Sequence, residues 1–128
     1  MSTLSKILYV EDEPDIQAVA RIALEMVGGF KVKICSSGQQ AIDEGADFAP
    51  DLILLDVMMP GMDGPTTLEK LREQHSLATT PAIFMTAKVQ PQEVAHLKSL
   101  NALDVIPKPF DPMTLASKVR LIWESSHE

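Results

Sequence analysis

Three stretches of this chain are apolar without interruption: Ile7-Leu8-Tyr9-Val10, Leu52-Ile53-Leu54-Leu55 and Ala82-Ile83-Phe84-Met85. A strand buried on one face alternates apolar and polar residues, whereas one that does not alternate must be covered on both faces. Helical patterns lie between the runs and can supply that cover. The chain is therefore expected to form an α/β domain around a parallel sheet. Strands are predicted at 6–10, 30–34, 52–56, 82–86 and 103–107, and helices at 14–27, 37–47, 65–74, 91–99 and 112–124. Pro14, Pro65, Pro91 and Pro112 each fall where a first helical turn would begin, the place where a missing N–H costs least. Asp111 has the position of an N-cap, Gly28-Gly29 can close the first helix in a left-handed conformation, and Leu115, Val119 and Ile122 form one apolar stripe on the last helix.

The strands also suggest their own order. Phe30-Lys31-Val32-Lys33-Ile34 alternates and carries lysines, a common edge device, and the short 103–107 segment carries Asp104. Strands two and five then lie outside, with one, three and four inside. That is the flavodoxin-like, doubly wound (βα)5 three-layer sandwich with strand order 2-1-3-4-5. A chain of 128 residues can build one such domain, 1–128, but not two.

Composition narrows the function. Eleven basic against 18 acidic residues give a net charge of −7, which disfavours sequence-independent binding to nucleic acid. No apolar run approaches the roughly 20 residues of a membrane span, and the N-terminus lacks a signal-peptide core. Cys35 is the only cysteine, so no internal disulfide can form, which suits a cytoplasmic protein. His75, His96 and His127 are isolated and form no metal-binding pattern. After Trp123 only Glu124 to Glu128 remain, so no DNA-binding or enzymatic output module is expected within the chain.

In an open α/β sheet of this order, ligands bind beyond the carboxyl ends of strands one and three, where the winding reverses. Glu11 and Asp12 follow strand one, and Asp56 ends strand three. Three acids in one crevice raise one another's pKa values unless a cation joins them. An all-oxygen set suits Mg²⁺, or Mn²⁺, rather than zinc. Thr86 ends strand four with a hydroxyl, and Lys108 follows strand five with a point charge suited to phosphate. Acids, a metal, a hydroxyl and a lysine around one carboxylate make a phosphoryl-transfer site. The simplest chemistry is attack by Asp56 on phosphorus to give an aspartyl phosphate.

Four motifs, in order, resemble the receiver domain of two-component response regulators: Val10-Glu11-Asp12-Glu13, Leu55-Asp56 through Asp63-Gly64, Met85-Thr86-Ala87, and Ile106-Pro107-Lys108-Pro109-Phe110. The resemblance spans nearly the whole chain. It implies that Asp56 is the phosphoacceptor, supplied by a histidine kinase, a phosphotransfer protein or acetyl phosphate. It implies Mg²⁺ held by Asp12, Asp56 and the backbone carbonyl of Met58, with Glu11 assisting through water. Lys108 would contact the phosphoryl group, with a cis peptide before Pro109. Thr86 would couple the site to a partner-binding face of helix four, strand five and helix five. Met58 and Lys88 would border the phosphoryl group, with Lys88 expected to point into solvent.

One departure stands out. Receivers usually carry an aromatic three residues before the lysine, and this chain has Val105, so only the Thr86 half of the switch is expected. The expected partners are a downstream protein and, as an alternative, a second copy of the chain. Three other functions compete for the same residues. A relay passing phosphate onward shares the same site. An aspartyl-phosphate phosphohydrolase would want an acid two residues after the nucleophile, where Met58 stands. A flavodoxin-like cofactor binder would want a phosphate-cradling loop in place of Glu11-Asp12-Glu13.

Overall fold

The computed structural model describes residues 3–127. Met1, Ser2 and Glu128, the ends of the expected 1–128 domain, lie outside the described residues. The elements are β1 (Lys6–Val10), α1 (Pro14–Arg21) continuing as a π-helical end (Ile22–Val27), β2 (Lys31–Cys35), α2 (Gly38–Phe48), β3 (Leu52–Asp56), α3 (Gly64–Arg72), a 3₁₀ turn (His75–Leu77), β4 (Ala82–Thr86), α4 (Pro91–Lys98), β5 (Asp104–Pro107) and α5 (Leu115–Ser126). All strand pairs are parallel, in the order β2-β1-β3-β4-β5. The fold is the expected flavodoxin-like sandwich.

The uninterrupted apolar runs explain the three layers. Successive strand residues point to opposite faces. Ile7, Tyr9, Leu52, Leu54, Ile83 and Met85 pack with Leu24, Leu115, Val119 and Trp123 on one side. Leu8, Val10, Ile53, Leu55 and Phe84 pack with Ala41, Leu68, Leu71 and Leu97 on the other. Both layers are dense, so even a single methyl group is felt. Ile53→Val should cost about 1 kcal/mol, read by urea unfolding followed through Trp123 fluorescence. A variant no less stable than the wild type would mean that this layer is loosely packed.

The two glycines after α1 serve different ends. A Cβ on Gly28 would lie 2.7 Å from the Cβ of Ala116, so Gly28 lets α5 close onto the end of α1. Gly29 takes the left-handed conformation, with φ of 75°, as Asn101 does at 68°. The Gly28 amide reaches back five residues to the Ala23 carbonyl, which widens the last turn.

Helix five departs from expectation. Asp111 does cap, but it caps a turn over 112–114, accepting from the Met113 amide at 2.9 Å. The helix itself begins at Leu115 and runs to Ser126. Its N-cap, Thr114, makes no side-chain capping bond. The early turn satisfies the amides that a helix starting at Pro112 would have exposed. Strand five is also shorter than read, and α3 stops at Arg72, before the 3₁₀ turn.

Candidate functional site

Parallel pairing places Asp56 beside Met85 and Thr86 beside Pro107. It thus brings the carboxyl ends of β1, β3, β4 and β5 to one edge. Gly64 lets the chain return tightly over β3, since a Cβ there would strike the Asp56 carbonyl. Asp63 caps α3 by accepting from the Thr66 amide at 2.8 Å.

At this edge Glu11 is completely buried, and Asp56 is 3% exposed. One carboxylate oxygen each from Glu11, Asp12 and Asp56 lies within 4.8 Å of the others. Lys108 joins two of them: its Nζ donates to Asp56 Oδ1 at 3.0 Å and to Glu11 Oε1 at 3.0 Å. The Lys108–Pro109 peptide is cis, as the resemblance implied.

The electrostatics follow from burial. Loss of water is the main force raising the Asp56 pKa; bonding to Lys108 opposes it and the Glu11 charge adds to it, leaving the group at about 6. Burial works against the Lys108 ammonium, yet its bonds to Asp56 and Glu11 outweigh that and hold its pKa above the ordinary value. Burial also raises the Cys35 thiol to about 11, which keeps it protonated and unreactive at neutral pH.

Asp12 supplies the test of whether a cation fits. Its Oδ1 is buried without a hydrogen-bond partner among the described residues. An unpaired buried carboxylate oxygen is costly. Beside two further carboxylates, its natural partner is a hard cation. Met58 is 63% exposed, and among the described residues no hydrogen bond engages its carbonyl. The donor set therefore fits Mg²⁺.

Not every expected residue converges. Thr86 is buried, but its hydroxyl accepts from the Lys88 amide at 3.0 Å, within its own loop. Val105 is partly buried and packs against the Leu97 side of the core. The Lys88 side chain is exposed, in line with the solvent-facing expectation. In the sequence Tyr9 stands only as part of an apolar run. Its hydroxyl donates to Glu11 Oε1 at 3.4 Å, and the available signal was its one polar atom within that run. Burial, followed by the Glu11 and Asp56 charges, raises the Tyr9 phenol well above its usual pKa.

A doubly wound sheet with an acid pocket, a buried carboxylate and a bridging lysine defines the class of phosphoacceptor signalling domains. The chain belongs to the response regulator receiver domain family, whose model matches residues 7–120. The transcriptional regulatory protein CpxR of Escherichia coli is 39% identical over 124 residues, covering 97% of this chain and 51% of CpxR. The chain thus spans about half the length of the curated relatives it matches. The chemotaxis response regulator CheY4 of Vibrio cholerae superposes with a TM-score of 0.85 at 28% identity, covering 94% of this chain and 99% of that one. The signal receiver domain of a histidine kinase from Syntrophus aciditrophicus gives 0.79 at 33% identity, covering 94% and 91%. The chain is a two-component receiver, and neither the onward-relay nor the phosphohydrolase reading is favoured. Among the described residues no helix is long and apolar enough to cross a membrane.

Proposed function

We propose that Asp56 is the phosphoacceptor of a cytoplasmic receiver domain that assists its own phosphorylation and dephosphorylation. The observation that carries this reading is Lys108 bridging Asp56 and Glu11 at 3.0 Å each, beside the unpartnered Asp12 oxygen. Asp12, Asp56 and the Met58 carbonyl would hold Mg²⁺, with Glu11 nearby. A bound Mg²⁺ supplies positive charge to the carboxylates and the incoming phosphoryl oxygens. An Asp56 oxygen attacks phosphorus and forms the new O–P bond. The bond from phosphorus to the donor breaks, and its electron pair leaves with the histidine nitrogen or with acetate. Lys108 draws the developing charge towards itself.

The donor would be a histidine kinase or phosphotransfer protein. An apolar groove beside Lys108, lined by Asp15, Ile16, Val19, Pro109 and Phe110, offers it a seat. Incubation with Mg²⁺ and acetyl phosphate should add a single phosphoryl mass, lost with EDTA and in Asp56→Asn. An adduct that persists in Asp56→Asn would refute the assignment.

For output, Thr86 would give up its bond to the Lys88 amide and reach a phosphoryl oxygen. The α4–β5–α5 face would then signal to a downstream protein without the usual aromatic, since Val105 holds that place. Phosphorylation should shift backbone NMR resonances across α4 and β5. Shifts confined to residues around Asp56 would show that Val105 has uncoupled the face.

A further inference from the structure

The geometry points to Tyr9 as a positioning residue of this site, acting through Glu11. The inference rests on the phosphoacceptor reading above. Tyr9 is fully buried in β1, where a phenylalanine would fill the same core space. Its hydroxyl donates to Glu11 Oε1 at 3.4 Å, the oxygen that also accepts from Lys108 Nζ at 3.0 Å. The same Nζ reaches Asp56 Oδ1 at 3.0 Å. The other Glu11 oxygen accepts from the Glu13 amide at 3.2 Å. Phenol, carboxylate, ammonium and acceptor carboxylate thus form one chain from the hydrophobic core to the reacting atom.

The two carboxylates compete for one ammonium. A phenol donating to Glu11 disperses charge on the shared oxygen and weakens its hold on Lys108. Without the phenol, Glu11 draws Lys108 away from Asp56. Groups linked in one hydrogen-bond network do not contribute independently.

Tyr9→Phe should therefore slow phosphorylation by acetyl phosphate roughly 3- to 10-fold, the scale of one ordinary net hydrogen bond. In a Glu11→Gln background the same substitution should have no further effect, which a purely structural role would not predict. Tyr9 is the only tyrosine in the chain, so meta-fluorotyrosine labels this one site without altering the sequence. Its fluorine resonance should move on addition of Mg²⁺ and again with acetyl phosphate, the second shift being lost in Asp56→Asn. If Tyr9→Phe folds poorly, the fluorine signal decides alone. An unchanged rate in Tyr9→Phe, or a resonance indifferent to acetyl phosphate while the mass shows the adduct, overturns the inference. A wild-type chain that takes no phosphate at all overturns the site reading instead.

Discussion

Asparagine at position 56 should make the metal-free protein more stable at neutral pH, by about 3 kcal/mol. The Asp56 carboxyl is pushed from 3.8 to about 6, chiefly by burial, and each pKa unit is worth about 1.4 kcal/mol. Because the folded pKa lies above the unfolded one, the protonated group favours folding. That advantage is complete below about pH 4 and is lost as pH rises through 6. The neutral amide avoids the loss. The gain from Asp56→Asn should thus be absent near pH 4, grow between pH 4 and 6, and level off above. Saturating Mg²⁺ should shrink it, since the cation stabilises only the ionised wild type. Urea unfolding in EDTA across this range measures the effect. A variant less stable than the wild type at pH 7.5 would show that Asp56 is not under strain.

Lys108→Met should act in the opposite direction, destabilising the metal-free protein by about 3–5 kcal/mol at pH 7.5. The methionine replaces much of the volume but leaves two carboxylates in a nearly dry pocket. Glu11, with no exposed surface, would keep only the Tyr9 hydroxyl and the Glu13 amide. Asp56 would lose its only side-chain hydrogen bond among the described residues. Acidification should return part of the stability as the carboxylates bind protons, and Mg²⁺ should return part by direct neutralisation. The two substitutions should not be additive, because they share one ion pair. Equal unfolding midpoints for Lys108→Met and wild type in EDTA would sink this account.

Much of this site could be read from the chain because parallel topology converts sequence position into spatial position. Once the runs ending at Val10, Leu55, Met85 and Ile106 were recognised as neighbouring strands, Asp12, Asp56, Thr86 and Lys108 had to share an edge. Periodicity also gave the strand order, through the lysines of β2 and the polar start of β5. It does not give side-chain rotamers. The Thr86 hydroxyl therefore looked available, whereas the structure turns it to the Lys88 amide. Nor does it separate Glu11 from Asp12. One is fully buried and bonded to Lys108, while the other is partly exposed with an oxygen left unpaired. Pro112 suggested a helix start, but the Asp111 turn competes for the same amides and delays it to Leu115.

The bond between the Thr86 hydroxyl and the Lys88 amide has a consequence for the resting protein. A single neutral hydrogen bond is worth about 1 kcal/mol, which biases a two-state loop only about fivefold. In the proposed switch, a latch this weak would leave the released loop populated before any phosphate arrives, at roughly one molecule in six. Basal signalling would then be a built-in leak of the domain, set by how firmly one threonine holds the loop behind it.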